Sequence, residues 1–592
     1  MGGFAVTVDW AAEPPPGPFE AMVDAMAHRG PAGVNTTGDG TALVAEARLT
    51  RDGRPGWDMA TLGQLTLVGD LRLWYPDALR HATGQDTEDP RMLLLHGFAA
   101  IGPGVMPMVD GDFAFAIWDT RTRTLFAARD RFGVKPLWIQ RTADGVRLAS
   151  EVNQLVAASS QPPQPDDLTV ARFLTDDIPY DDRSFRTGIA RLMPAHTLTV
   201  TETSFATSPY WDLSGIEQLP CDDVPRRFRT TLTDAVARRL AGSLRTVSHL
   251  SGGLDSSSIT AAAHILTDTG ALDPEWFMTV SAIVPGRDTD ESVWIDDIVA
   301  SQPFTHREFS PRIGPIDDYA SDMAVTGTPI AHHMRDLVAA TADIAHEEGA
   351  DLVLTGNGGD DVANDRWVLP ELVRTRRGGA WLRALRSMAR DSPGAAALWG
   401  VSSLGSALPS SVKHRLRRSN MQRTESLLAS RLGAVLDASP RPQDTQRDLH
   451  PVARDLANGR GLALREFQEA MFAARGLEVS HPYLDRALVE FVASIPPDQR
   501  PIRLGNKALI RTAFAGHLPD SVLSRTTKTV ANTWIDEVQA TQTLHFTARF
   551  PTVPDNAAAF LDPDTYRDAI TSDDPDPDLW QAWSVLLWLE SI

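Results

Sequence analysis

Hydrophobic and polar positions follow two different rhythms along this chain. Over the first 208 residues the rhythm is that of short strands and turns. Asp112-Phe-Ala-Phe-Ala-Ile-Trp-Asp alternates with the period of two that a pleated strand imposes. Thr120-Arg-Thr-Arg-Thr then supplies a turn and Leu125-Phe-Ala-Ala-Arg-Asp a returning strand, so a hairpin is predicted. Leu65–Leu73 reads as a strand pair or one bent strand. Tyr210–Pro225, punctuated by Gly215 and Pro220, reads as a linker. From Val224 the rhythm changes. Pro225–Ala241 is apolar at helical spacing, Arg245–Leu250 is a short strand, and Ser257–Leu266 is helix-like after a glycine turn. Phe277–Val284 and Asp351–Thr355 read as buried strands, with helices over Asp290–Ser301 and Arg335–Glu348. Strands separated by helices predict a parallel α/β sheet. Beyond Trp367 the pattern is mostly helical.

Composition narrows the function classes. The 592 residues predict more than one domain. With 56 Lys+Arg against 77 Asp+Glu the net charge is −21, which argues against a nucleic-acid binder. Cys221 is the single cysteine, so disulfide frameworks and multi-cysteine zinc sites are excluded, and its place in the linker makes it a bystander. The chain has no apolar run of membrane-spanning length and no signal-peptide shape at its start, so a cytoplasmic protein without a membrane partner is expected. Only Lys135, Lys413, Lys507 and Lys528 are lysines. Where arginine has replaced nearly every lysine, a surviving one is more often needed as a lysine.

The informative stretch is Val247-Ser-His-Leu-Ser-Gly-Gly-Leu-Asp-Ser-Ser-Ser. It reads as a strand, a tight Ser-Gly-Gly turn and a helix start. Glycine lets backbone N–H groups approach a ligand, and the helix N-terminus adds its dipole, so the segment suits a phosphate. Ser256 and Ser257 add hydroxyls. Asp255 would repel phosphate unless a cation lies between them, which points to Mg²⁺. No Walker lysine is present, so this is not the usual P-loop.

Ser251-Gly-Gly-Leu-Asp-Ser-Ser resembles the pyrophosphate-loop signature of the ATP pyrophosphatases. The wider chain resembles the asparagine synthetase family. The N-terminal carriers of that resemblance are His28-Arg-Gly-Pro, Gly111-Asp-Phe-Ala-Phe-Ala-Ile-Trp-Asp, Ala128-Arg-Asp-Arg-Phe-Gly-Val-Lys-Pro-Leu and Leu148-Ala-Ser-Glu. The C-terminal ones are Leu354-Thr-Gly-Asn-Gly-Gly-Asp-Asp, Gly476-Leu-Glu-Val-Ser-His-Pro-Tyr-Leu-Asp and Asn506-Lys-Ala-Leu-Ile-Arg. The resemblance implies an α/β protein of two domains. Residues 1–208 would form an αββα domain of the class II glutamine amidotransferase (Ntn) type. Residues 222–592 would form a parallel-sheet adenine-nucleotide (PP-loop) synthetase domain with a helical extension. It implies ATP and Mg²⁺ as cofactors. Leu250, Ser251, Gly252, Gly253, Asp255, Ser256, Ser257 and Gly356 would hold ATP, and Asp255 and Asp360 the metal. Lys507 and Lys528 would face pyrophosphate and the adenylate, and join Asp255 as catalytic groups.

Two departures refine this. Glutamine-hydrolysing members need an N-terminal cysteine, whereas Met1-Gly-Gly would leave Gly2, without a nucleophile. Val68 stands where the family usually places an oxyanion-hole Asn. The first domain is therefore expected to be inactive as a glutaminase. Asn357 stands where asparagine synthetases carry Glu and β-lactam synthetases carry Tyr, and Asn is no base. A peptide's α-amino group, with a pKa of about 7.7–8.0, needs little help. Both departures resemble the lasso peptide cyclases, which implies adenylation of an Asp or Glu side chain of a core peptide and closure by its N-terminal amine. The implied partners are the precursor peptide, a leader-binding protein and a leader peptidase. The alternatives are a small-molecule amide or β-lactam synthetase using ammonia or an amine, and a non-catalytic scaffold. Between Arg374 and Arg423 stand eleven Lys/Arg against one acid, Asp391, which reads as a solvated helical face or a docking surface for an acidic partner. Glu478 and His481 are weighed as lining an acceptor pocket.

Overall fold

A computed structural model describes residues 2–49, 59–284, 290–331, 334–391, 393–405, 427–439, 449–502, 507–525, 532–572 and 579–591. Lys413, Asn506 and Lys528 lie outside the described residues. The N-terminal region contributes β1 (Phe4–Asp9), β2 (Val34–Gly38), β3 (Ala42–Ala47), β4 (Ala60–Leu62), β5 (Leu65–Leu73) and β6 (Gly111–Asp119). It continues with β7 (Thr124–Arg129), β8 (Trp138–Arg141), β9 (Gly145–Ala149), β10 (Ile189–Arg191), β11 (His196–Thr201) and β12 (Ser204–Pro209). They form two antiparallel sheets, ordered β10-β8-β9-β1-β3-β2 and β12-β11-β7-β6-β5-β4. Alternation along β6 explains the packing. Ala114, Ala116 and Trp118 face the core between the sheets, while Phe113, Phe115 and Ile117 face the other way. There they meet Leu93–Leu95 of the helix Pro90–Ile101. The helices Pro16–Ala25 and Val152–Ala157 cover the outer face of the first sheet. The layers are therefore α, β, β, α, as expected, and the hairpin of β6 with β7 is present. Leu65–Leu73 is a single strand rather than a pair.

The second region holds a five-stranded parallel sheet, ordered β15-β14-β13-β16-β17. Its strands are β13 (Thr246–His249), β14 (Phe277–Ala282), β15 (Thr305–Phe309), β16 (Leu352–Leu354) and β17 (Glu478–Ser480). Both faces are buried, as a parallel sheet requires. Leu352 and Leu354 face a core with the helices Val224–Leu240 and Leu254–Asp268, and Val353 faces one with Arg335–Glu347. β15 is polar and edge-on, so the apolar pattern did not announce it. β17 interrupts the stretch read as helical. The helix Leu579–Glu590 is buried nearly all round, and the Trp580 and Trp588 ring N–H groups donate to the carbonyls of Ile330 and Gly327, each at 3.1 Å. No described helix is long and apolar enough to cross a membrane.

Buried ions join the two regions. Glu469, on the helix Gly459–Ala473, lies 2.6 Å from Arg29 and 3.3 Å from Lys135, whose ammonium is also 2.8 Å from Asp70. Arg72 meets Glu478 at 2.9 Å, and Ser480 donates to Asp112 at 2.7 Å. Glu478 thus turns toward the N-terminal sheets, where it pairs with Arg72. Lys135 is a surviving lysine with a structural role. Burial pushes the Glu469 carboxyl up, but Arg29 and Lys135 outweigh it and hold it at about 2, against an ordinary value of 4.5. Removing one member of such a cluster leaves the others charged and dry. Glu469→Gln should therefore lower unfolding stability by about 3 kcal/mol, read from urea denaturation. A depressed carboxylate contributes stability above its unfolded pKa. The Glu469 contribution should be full above pH 4.5 and fade as pH falls toward 2, and Glu469→Gln should flatten the acid limb of a stability–pH curve over that window.

Candidate active site

β13 ends at His249 and the chain turns sharply. Leu250 stays on the sheet, its N–H donating to the Val280 carbonyl at 2.8 Å and its carbonyl accepting from Ser281 Oγ at 2.6 Å. Gly252 has φ +65°, a left-handed conformation that side chains resist, and a β-carbon there would come 3.4 Å from Glu291 and Trp294. Gly253 caps the helix Leu254–Asp268. The serines shape the turn from inside. The Ser251 N–H donates to Ser256 Oγ at 3.0 Å, and the buried Ser257 hydroxyl donates to the Gly253 carbonyl at 2.6 Å. The result is a glycine loop at the start of a fifteen-residue helix, the arrangement that favours an anion.

A second loop, after β16, presses against that helix start. A β-carbon on Gly356 would lie 3.1 Å from both Asp255 Cβ and the Ser256 nitrogen, and one on Gly359 would lie 2.5 Å from Asp255 Cγ. Gly358 has φ +87° and leaves no room beside Leu484. Only glycine allows this approach, which brings Asp360 beside Asp255. Asn357 is held within the loop. Its N–H donates to Thr355 Oγ1 at 3.2 Å and its side-chain amide to Gln468 Oε1 at 2.5 Å. Thr355 Oγ1 is 2.7 Å from Nδ1 of His481. His481 is fully buried. Burial, with Arg465, Arg239 and Lys135 nearby, lowers its pKa to about 3, so it is a neutral support behind the loop.

Lys507 closes the cluster. Its Nζ bonds Asp255 and lies 2.8 Å from Asp360. Its backbone is left-handed, at φ +59°, a conformation that persists in a side-chain residue only when its surroundings impose it. Asp365 does so, accepting from the N–H groups of Lys507 at 2.5 Å and Ala508 at 3.2 Å. Burial works against the ammonium, but Asp255 and Asp360 hold its pKa above the ordinary lysine value, so it stays charged.

The structure therefore brings Leu250, Ser251, Gly252, Gly253, Asp255, Ser256, Ser257, Gly356, Asp360 and Lys507 into one site. Sequence reasoning missed three neighbours. Asp365 sets the Lys507 backbone, and only its place in the same acidic loop could have pointed to it. Asp361 is pushed up to about 7, by burial first, against Arg465 and with Asp455, Asp360 and Asp255 adding to it. Arg525 stacks 3.9 Å over Trp294, pairs with Glu291 at 2.6 Å and donates to the Gly252 carbonyl at 3.3 Å, bracing the loop. No cluster of three cation-ligating side chains occurs among the described residues. Two adjacent carboxylates beside an anion loop nevertheless fit Mg²⁺, which is commonly held by one or two carboxylates together with the substrate's phosphates.

Comparison with known proteins agrees with this architecture. Residues 1–211 match the model of a glutamine amidotransferase domain, and residues 227–591 match that of asparagine synthase. The glutamine-hydrolysing asparagine synthetase 3 of Bacillus subtilis is 26% identical over 539 residues, covering 86% of this chain and 83% of its own. Amidase chyE of Penicillium rubens is 25% identical, covering 58% of this chain and 54% of its own, and amidase chry2 of Gibberella zeae is 26% identical over 42% and 39%. The parallel sheet with its glycine loop, the αββα layers before it and these two matches together assign the chain to the asparagine synthase family, as an amidotransferase-type domain joined to a synthetase domain.

Proposed function

We propose that this protein forms a macrolactam in a peptide, adenylating an Asp or Glu side chain with ATP and closing the ring with the peptide's own N-terminal amine, as in lasso peptide biosynthesis. One juxtaposition supports this reading: a glycine loop with Asp255, Asp360 and Lys507 gathered beside it stands in a chain whose Gly2 has no room for a β-carbon. A β-carbon on Gly2 would lie 2.4 Å from the Ala47 carbonyl oxygen and 2.6 Å from that of Arg29. Val68 is buried in the core between the sheets, so its position offers no polar group to an oxyanion. In this reading the first domain is a structural partner of the synthetase domain and hydrolyses no glutamine.

The chemistry then has two steps. A carboxylate oxygen of the peptide attacks the α-phosphorus of ATP. An acyl–O–P bond forms, and the bond to the β-phosphate oxygen breaks to release pyrophosphate. The amine nitrogen next attacks the acyl carbon, the C–O bond breaks to release AMP, and the nitrogen's proton passes to water. The amides of Gly252–Asp255 and the Lys507 ammonium offset charge on the phosphates. Mg²⁺, held by Asp255 and Asp360, would supply further charge neutralisation there. Asn357, with its amide nitrogen engaged by Gln468, offers its carbonyl oxygen as an acceptor but no base, which suits an amine that is partly neutral at physiological pH. Holding the folded peptide makes closure effectively unimolecular.

Similarity to an asparagine synthetase and to an amidase favours a second reading, an amide synthetase that takes ammonia or an amine from solution. The purified protein with Mg²⁺, ATP and a leader-free precursor peptide encoded beside its gene should form AMP, pyrophosphate and a product lighter by one water, read by mass spectrometry. Turnover only with aspartate and ammonia would replace the peptide reading with the second. Asp255→Asn and Lys507→Ala should each lower AMP formation by at least about a hundredfold while circular dichroism stays native. Turnover near wild type in either variant would remove that residue from the centre.

A further inference from the structure

A groove of about 660 Å³ lies on the far face of the short helix that follows Lys507. Its walls are Ala508, Arg511 and Thr512 of the helix Ala508–Ala513 on one side and Ser387 and Arg390 of the helix Gly378–Asp391 on the other. Its floor is apolar, made by Ile502 and Leu523 with the adjoining Pro501 and Ala515. This volume is in the range of sites that hold ligands, and the mixture of apolar floor and cationic rim fits an amphipathic occupant.

The rim extends beyond the groove. Arg383, Arg386 and Arg390 recur at helical spacing on one exposed face of Gly378–Asp391, and none has an ion-pair partner among the described residues. Their neighbours Arg374 and Arg377 are neutralised by Glu371 and Asp498. In a chain of net charge −21, three guanidinium groups in a row with no ion-pair partner among the described residues are a local reversal. They are also spread out. From residue 383 to 390 the helix rises about 10 Å, so one small anion cannot reach all three. An extended peptide places every second side chain on one face, about 7 Å apart, so about five residues set a row of carboxylates along the three arginines.

We infer that this groove docks an extended acidic segment of the substrate peptide, with carboxylates on Arg383, Arg386 and Arg390 and apolar side chains on Ile502 and Leu523. The inference rests on the peptide reading for the identity of the occupant and deepens it. Arginine suits the task because its planar fork pairs with carboxylates through two hydrogen bonds. The chain's net charge of −21 disfavours the same peptide elsewhere and directs it here. The helix that lines the groove also follows directly on Lys507, so a segment bound there is tethered beside the adenylation centre.

The test is fluorescence anisotropy of the full-length protein, without nucleotide, using a labelled peptide of alternating Glu and Leu and its Gln–Leu counterpart. The Glu–Leu peptide should bind more tightly than the Gln–Leu one. The triple variant R383E/R386E/R390E should weaken its binding by about tenfold or more, with unchanged thermal melting because all three side chains are exposed. Equal affinity of the variant and wild type, or of the two peptides, would overturn the inference. Lys507→Ala should abolish AMP formation but keep peptide binding, which separates the two readings. Charge-dependent binding with no peptide turnover would leave the groove and sink the macrolactam reading. Peptide turnover that is indifferent to the three arginines would do the reverse.

Discussion

The contact on which the site depends is the approach of the Thr355–Asp361 loop to the first turn of the helix Leu254–Asp268. A β-carbon on Gly359 would collide with the Asp255 side chain, and one on Gly356 would press tightly against it. That closeness delivers Asp360 to Asp255 and leaves two carboxylates facing one position. Two like charges so placed are unstable alone. The Lys507 ammonium, reached from a third segment, resolves the conflict, and so would a divalent cation with its phosphates. The arrangement of the two carboxylates follows from a packing constraint, and a larger residue at Gly359 would disrupt it without replacing a charged group.

A second constraint operates between the domains. Arg29, Lys135, Asp70 and Glu469 are nearly inaccessible to water, and their opposite charges offset one another in the absence of solvent. Such clusters contribute little net stability compared with apolar packing, but they cost a great deal when broken. They also fix geometry, since an ion pair tolerates less displacement than a hydrophobic contact. Glu469 and Gln468 are consecutive on one helix. The first is locked to the N-terminal sheets and the second holds Asn357. The amidotransferase-type domain thereby reaches the active-site loop through one helix, which gives it a structural role whether or not it does chemistry of its own.

Both elements of the proposed peptide handling come from the same short helix. Its preceding residue, Lys507, turns toward Asp255 and Asp360 under the control of Asp365, while the helix itself lines a groove rimmed by arginine. A chain of strongly negative net charge gains from such a division, because a uniform field would repel every anionic ligand and local reversals select where they settle.

The sequence by itself determined the β6–β7 hairpin, the strand–helix alternation of the second region and the place of the Ser-Gly-Gly turn, while the four layers of the first domain were what the family resemblance implied. Alternation along β6 and β7 and the Ser251–Ser257 motif are local signals, since period and turn chemistry act over a few residues. Polar β15 and three-residue β17 were not legible, because their strand character comes from pairing with neighbours far along the chain. The same distinction holds in the site. Asp255, Asp360 and Lys507 were readable as residues of a motif. Tertiary structure alone decided that the Lys507 ammonium bridges the two carboxylates, that Asp365 bends the Lys507 backbone and that Glu478 turns away to Arg72. Those outcomes depend on the close approach of segments more than a hundred residues apart, which no local pattern encodes.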